Sequence, residues 1–563
     1  MKKTRIMALI MTAIMTGTLL LGCTKTKGNE GEKPGDGNTS VVEETVEQKI
    51  IYNLGADPKT IDPQLNSAVD GSTIIHNAFE GLMREDEKSQ IVPGTAEKYE
   101  VSDDGTVYTF HLRENAKWSD GKPVVAGDFV YAWKRALNPE VAAEYAYQLF
   151  YIKNGAAYYN KEKIGDKVAT ADDVGVKAIN DKTLEVTLEA PVPYFLSLAA
   201  FPTYFPVRED MVKGNEEKWT LKPDTYISNG PFKMSEWKEK ESITFVKNEN
   251  YWDAENVKLE TLEVKLIDDE ITYLNAFKSG EIDVIEAPPQ AEIPTLLDEG
   301  TAKIYPYLGT YFYVINVSDK AKDVDPKAAE ALSNPKFRKA LSLAIDKQLI
   351  VDKVAQGGQT PATSYVPAGI LDSAGKEFQK DYSPKTVDIE GAKKLLAEAG
   401  YPNGEGAPTI TLTFNTNQGH QNIAQAVQDM WKTNLGINVE LKNEEWAVFQ
   451  DTRNNFQYSI ARHGWIADYN DPMTFLDMWI TGNGQNNSGY SNKEYDKLIA
   501  SAKVELDDTK RTELLHKAED ILMEELPIIP MYYYTNVLCI NKNVKGTYKS
   551  PLGQMEFRDA YVE

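Results

Sequence analysis

Cysteine is nearly absent from this chain: its 563 residues hold two, Cys23 and Cys539. Basic charge is short as well, with 61 Lys and Arg against 85 Asp and Glu, for a formal net charge of −24. Each shortage excludes something. Two cysteines rule out a disulfide-stapled scaffold, so stability must come from core size. Cys539, in the apolar run Val537-Leu538-Cys539-Ile540, reads as a small buried hydrophobe. An acidic chain lacks the basic footprint that nucleic acid requires, so no nucleic-acid partner is expected. The five histidines, His76, His111, His420, His463 and His516, show no metal-ligand spacing. There is no Gly-x-Ser-x-Gly elbow, His-Glu-x-x-His, P-loop or Gly-x-Gly-x-x-Gly. No cofactor or metal is implied, and with so many acids, carboxylate pairs mean nothing on their own.

What is present begins with Lys2, Lys3 and Arg5, followed by an uncharged run from Ile6 to Leu21 that ends Leu20-Leu21-Gly22-Cys23. A basic start, a short apolar stretch and a small residue before the cut describe a secretory signal peptide. The run falls short of the ~20 residues that span a bilayer comfortably. Its end resembles a bacterial lipobox, which implies lipid on Cys23 and a protein held outside the cytoplasmic membrane. Loss of Lys2, Lys3 and Arg5 takes the net charge from −24 to −27. Residues 24–48 have little to bury and read as a disordered tether, with a reach of about 25–30 Å for ~25 flexible residues.

The remainder is too long for one core, since single cores stop growing near ~250–300 residues; at least two lobes are expected. Val107 to Leu112 alternates like a half-buried strand, and Asp120-Gly121 turns the chain. Asp128 to Leu137 has helical spacing. Leu274 to Lys278 ends a helix at Gly280, before a strand at Ile282 to Ile285. Asn334-Pro335 opens one helix, and Asp388 to Ala399 forms another that stops at Gly400. Strand Thr409–Phe414, helix Gln421–Thr433 and strand Ile437–Leu441 predict parallel pairing with a crossover. A helix through Trp446, Phe449 and Arg453 and a strand from Phe456 to Ile466 follow.

That last strand emerges into unusual chemistry. Arg462, Gly464, Ile466 and Asp468 share one face. A cation and an anion lie about 20 Å apart if fully extended at ~3.3 Å per residue, and Gly464 between them leaves room for another backbone. Such a surface suits a zwitterion: an ammonium at Asp468 and a carboxylate towards Arg462. A solvated strand end with internal salt bridges would use the same residues.

The chain resembles the oligopeptide-binding lipoproteins of bacterial ABC importers, the family 5 solute-binding proteins, from Ile50 to Tyr561. The resemblance rests on Ile61-Asp62-Pro63, Phe79-Glu80-Gly81-Leu82, Thr109 to Arg113, Ala116-Lys117-Trp118-Ser119-Asp120-Gly121, Asn229-Gly230-Pro231, Ser279 to Asp283 and Pro530 to Tyr534. It implies an α/β, two-lobe periplasmic-binding-protein fold of type II, with three subdomains and a hinged ligand cleft. The divisions expected are a signal peptide at 1–22, the lipidated cysteine and tether at 23–48, the first lobe at 49–307, a second α/β lobe at 308–532, and a return to the first lobe at 533–563. The function implied is that of an extracytoplasmic receptor, not an enzyme, that binds short peptides, works as a monomer and serves the permease subunits of an ABC importer. A receptor for a nickel chelate, an oligosaccharide or a signalling peptide is the alternative within the family. A surface peptide-processing enzyme or chaperone is the alternative outside it.

By the same resemblance, Asp468 meets the peptide's ammonium, while Arg462, Arg453 and His420 meet its carboxylate at different peptide lengths. Ala68 and Val69 on one side, and Gly464 and Ile466 on the other, bind peptide backbone. Tyr145, Trp446, Trp465 and Tyr534 line the cleft, whereas His111 and His463 read as structural. His420, near an ordinary pKa of ~6.5, would hold its charge only partly at neutrality. Two departures stand out. A disulfide of well-known members would join the positions of Gly309 and Ile466, and a lysine that serves short ligands matches Ala355. Peptides of three to five residues are therefore expected to bind better than dipeptides.

Overall fold

A computed structural model describes residues 46–563 except Ser89, Ser373 and 384–386. The expectations for the signal peptide, for Cys23 and for most of the tether lie outside these residues. Gln48, placed in the tether from sequence, belongs to the fold: its amide donates to the Val562 carbonyl at 2.9 Å, and its carbonyl accepts from the Glu260 and Thr261 N–H groups.

Among the described residues, one mixed sheet of eleven strands runs through the molecule. Ten of them are β1 (Lys49–Asn53), β2 (Phe232–Lys238), β3 (Ser242–Lys247), β4 (Thr261–Lys265), β5 (Val284–Glu286), β6 (Ala302–Ile315), β7 (Ile410–Asn415), β8 (Val439–Glu444), β9 (Ile460–Ile466) and β10 (Ile528–Ile540). Their spatial order is β2-β3-β4-β1-β5-β10-β6-β9-β7-β8. The long antiparallel strands β6 and β10 sit in the middle, with strands from the first half of the chain on one side and strands from the second half on the other. Their register shifts between Pro306 and Thr310, and again between Tyr311 and Phe312. Pro306 has no N–H to give to the ladder, and an irregular ladder bends and twists more readily than a regular one.

The expected strand–helix–strand unit is present. The helix Gln418–Leu435 joins β7 to β8, which pair in parallel from Ile410↔Val439 to Asn415↔Glu444. Strand β9 begins later than its pattern suggested. Phe456 adopts φ +60°, a conformation no strand accommodates, and regular pairing starts at Ile460. Away from the main sheet, Ala96–Val101, Val107–Leu112, Thr183–Thr187 and Val176–Asn180 form a four-stranded antiparallel sheet in that order. One core runs from Trp118, Trp133 and Trp219 to Trp465 and Trp479, and a second gathers around Phe337, Trp431 and Ile460.

The most recognisable sequence motifs are scaffold. Asp62 of Ile61-Asp62-Pro63 is buried and accepts from Arg135 Nη1 at 2.8 Å, Arg135 Nη2 at 2.6 Å and Trp219 Nε1 at 2.8 Å. Trp118 is fully buried, and its indole donates to Asp128 Oδ2 at 3.0 Å. Glu80 accepts from Tyr251 Oη and Trp252 Nε1, both at 2.6 Å. Gly230 leaves no room for a side chain, since a Cβ there would lie 2.6 Å from the Ala78 carbonyl. His111 stands 3.3 Å from Glu100 on the outer four-stranded sheet. Cys539 is buried in β10, and burial pushes its thiol up to about 12, so it is chemically inert. Removing Asp62 would strand the Arg135 guanidinium in the core. Asp62→Ala should destabilise the chain by roughly 3–5 kcal/mol, read by chemical denaturation; a loss under about 1 kcal/mol would show that the pair is dispensable.

Candidate functional site

Along β9 burial alternates: Ala461, His463 and Trp465 are buried, whereas Arg462, Gly464 and Ile466 keep accessible surface, as does Asp468 just beyond. The shared face expected from sequence is therefore real, and it is the face that reaches solvent. One edge of β9 pairs with β6 from Ile460 to Ile466. On its other edge β7 meets only Ile460 and Ala461, and beyond them no strand pairs with it among the described residues.

At the downstream end of this open edge, Asp468 accepts from Tyr145 Oη at 3.0 Å and from Gln148 Nε2 at 2.8 Å. Its N–H donates to Thr474 Oγ1 at 3.0 Å. All three partners are neutral. Protein surrounds the carboxylate although it retains some accessible surface, and its pKa rises well above the usual range, first through burial and then through Asp477 nearby. Gln148 had no sequence signal of its own; it arrives with Tyr145, which caps the short turn Ala146–Tyr151 that contains it.

At the upstream end the charge is reversed. Arg453 is 8% exposed, on the helix Trp446–Asn454, and its Nε has no hydrogen-bond partner. Its guanidinium carbon lies 5.1 Å from the Phe449 ring and 5.9 Å from Trp446. Burial, with Arg462 close by, pulls its pKa down to about 10. Arg462 donates to Tyr534 Oη at 3.0 Å and sits 5.2 Å from the Tyr311 ring, and its Nε is likewise unpartnered. Two enclosed guanidiniums close together, with no carboxylate paired to either among the described residues, are costly unless an anion joins them.

His420 meets this group through Tyr311, whose hydroxyl is 3.4 Å from Nδ1. Its pKa is driven well below 6.5, by burial first and by Arg462 second, so it is neutral at pH 7 rather than partly charged as expected from sequence. His463 turns to the other face, stacks on Phe312 at 4.7 Å and bonds Asn487 through Nε2.

Trp446 Nε1 donates to Asp70 Oδ2 at 2.9 Å, next to Ala68 and Val69 at the start of the helix Val69–Ala78. Ala68 is extended, but Asn66 and Ser72 already engage its backbone groups, which limits what it can offer a docked strand. Trp465 is 4% exposed, and its indole N–H has no partner. The Tyr534 hydroxyl approaches Gly464 and would stand 2.3 Å from a Cβ there. Gly309 and Ile466 are direct cross-strand partners, and Ile466 Cδ1 fills the space of a Gly309 side chain. Ala355 is buried and uncharged at the end of the turn Ile350–Ala355.

The family model for bacterial extracellular solute-binding proteins, family 5, matches residues 90–487. The chain belongs to this family. The oligopeptide-binding protein OppA of Bacillus subtilis is 41% identical, across 98% of this chain and 99% of its own. The Haemophilus influenzae OppA complex with the peptide RPPGFSPFR overlays with a TM-score of 0.84 at 32% identity, covering 92% of this chain and 99% of that one. The unliganded open form of the murein tripeptide-binding protein MppA gives a TM-score of 0.61 at 33% identity, covering 92% and 98%. The chain therefore overlays better on the peptide complex than on the unliganded open form. Hydrogen bonds link the two halves of the chain: besides Tyr145–Asp468 and Trp446–Asp70, Asn454 donates to Glu144 and Asn417 to Glu270, each at 2.7 Å.

Gly464→Ala should push the Tyr534 phenol off Arg462 and destabilise the chain by about 1–3 kcal/mol, the usual cost of overpacking. In a Tyr534→Ala background that cost should vanish. A double-mutant cycle followed by denaturation checks it, and additive effects would exclude the contact.

Proposed function

We propose that this protein is the extracytoplasmic receptor of an ABC importer: it captures short peptides between its lobes and presents them to the permease subunits. One observation carries the reading. The open edge of β9 has a buried carboxylate without a cation at one end and two buried guanidiniums without a carboxylate at the other. An extended peptide supplies both missing charges and a backbone for the strand edge between them. A neutral oligosaccharide supplies neither, and a nickel chelate offers no ammonium for Asp468.

In this reading Asp468, with Tyr145 and Gln148 behind it, binds the ammonium, and Arg462, Arg453 and His420 take carboxylates of differing reach. Gly464, Ile466, Ala68 and Val69 flank the peptide backbone. Trp465, Trp446 and Tyr534 wall the cleft. The bulged β6/β10 pair is the hinge. The reading makes the protein a receptor that returns its peptides intact, rather than an enzyme.

The signs of two proton linkages follow. Asp468 has a raised pKa that an ammonium would lower, so this contact strengthens as pH rises through the free protein's value. His420 has a depressed pKa that a carboxylate would raise, so its length class tightens as pH falls. Calorimetry on di- to pentapeptides tests the whole scheme. Asp468→Asn should weaken free-amine peptides by two to three orders of magnitude, on the scale of roughly 3–5 kcal/mol for an unpaired buried charge. N-acetylated peptides should bind the native protein poorly. Arg453→Ala, Arg462→Ala and His420→Ala should each weaken one length class most, and dipeptides should bind worst. Equal binding of acetylated and free peptides would refute the ammonium role, and uniform losses across lengths would refute the carboxylate ladder.

The anchor belongs to the same proposal: lipid on Cys23 holds a monomeric receptor at the outer face of the cell membrane. Cys23→Ala should move the protein from the membrane fraction to the soluble one, and unchanged fractionation would overturn it.

A further inference from the structure

Beside the ammonium site lies a second set of polar side chains, each with one atom that has no partner among the described residues. Asp477 is 1% exposed. Its Oδ2 accepts from Tyr151 Oη at 3.3 Å and is 3.3 Å from Lys503 Nζ, but its Oδ1 has no partner. The Tyr147 hydroxyl, 3% exposed on a ring stacked 5.8 Å from Tyr145, has none either. Gln148 is fully buried; its amide nitrogen serves Asp468 and its Oε1 is unpartnered. All three are tied to one turn: Tyr147 and Gln148 belong to Ala146–Tyr151, and its last residue, Tyr151, is the one that donates to Asp477. Asp477 and Asp468 also act electrostatically on the Tyr147 hydroxyl.

Buried polar atoms are almost always paired. Three orphans grouped at one end of a binding edge mark a place where a ligand completes the bonding. Two of them, Asp477 Oδ1 and Gln148 Oε1, can only accept. Asp471, the neighbouring acid, is fully occupied by Arg511 at 2.7 and 2.9 Å and offers nothing. The surrounding charge is acidic, with Asp468 and Asp477 against Lys503 alone, so an added carboxylate would be repelled.

We propose that Asp477, Gln148 and Tyr147 form the subsite for the ligand's first side chain, and that it selects side chains that donate hydrogen bonds, lysine foremost, over apolar ones of the same length, while rejecting glutamate. The proposal rests on the peptide-receptor reading, since the first residue is placed by its ammonium on Asp468. A site built to meet a donor discriminates strongly against an analogue without one, because the site's own buried groups then stay unpaired.

The test is a tripeptide series Xaa-Ala-Ala, with Xaa lysine, glutamine, norleucine, alanine or glutamate, titrated into the full-length protein and into Asp477→Asn and Tyr147→Phe. In the native protein lysine should bind at least tenfold tighter than norleucine, glutamine should come between them, and glutamate should be weakest. Asp477→Asn should erase the advantage of lysine over glutamine. Tyr147→Phe leaves the Lys503 pair intact and should reduce the same discrimination without it. If norleucine matches lysine, or if Asp477→Asn weakens all five equally, the subsite does not exist. Binding of Ala-Ala-Ala keeps the two questions apart: its absence would sink the peptide-receptor reading, whereas its presence without side-chain preference would sink only the subsite.

Discussion

Everything in this molecule that points to a ligand follows from charge that the protein buries and does not neutralise. An ionised group taken from water costs several kcal/mol unless it is paired. The protein meets that cost at Asp468 with a phenol and an amide, and at Arg453 and Arg462 with aromatic rings and a tyrosine hydroxyl. Neutral dipoles and ring faces soften such a penalty without removing it, which is why the carboxylate is pushed up and the Arg453 guanidinium down. The same scaffold shows what it does with charges meant to be structural. Asp62 with Arg135, and Asp471 with Arg511, are closed by bidentate bonds of 2.6 to 2.9 Å.

The sheet explains how opposite charges can be held apart at a fixed spacing and still be enclosed from both sides. Arg462 and Asp468 belong to one strand and its continuation, so their separation is set by backbone geometry and does not depend on how the lobes stand. The groups that enclose them, Tyr145, Gln148 and Asp70, come from the other half of the chain. Closure thus adds walls to a ruler that is already built. β6 and β10 join the two halves of the sheet through a ladder with two breaks in register.

Much of this was written in local pattern. The alternation of β9, the parallel β7–helix–β8 unit and the caps at Asn334, Asp388 and Gly280 are short-range signals, and the structure follows them. What pattern could not show was set by contacts distant in sequence. Phe456 fits a strand by composition but takes a left-handed turn while packing at the end of its helix. His420 looks titratable until burial beside Arg462 silences it. That Tyr534, seventy residues later, stands over Gly464 has no local signal. Gln148, Tyr147 and Asp477 carry no motif at all, because an unsatisfied polar atom is visible only once every partner that could have reached it is in place.

The same reasoning bears on how a receptor can be tolerant and still choosy. Affinity that comes from two terminal charges and a strand edge is indifferent to side chains, and roomy pockets padded by water keep it so. Tolerance fails wherever a pocket wall includes a buried group that water does not satisfy. Along the open face of β9 the walls include aromatic rings: Trp446 and Tyr534 keep accessible surface that any side chain can touch. Two orphaned acceptors, Asp477 Oδ1 and Gln148 Oε1, lie at the Asp468 end. Selectivity should therefore be concentrated on the residue nearest the ammonium and fade towards the carboxylate, where the arginines choose by length instead of side-chain identity.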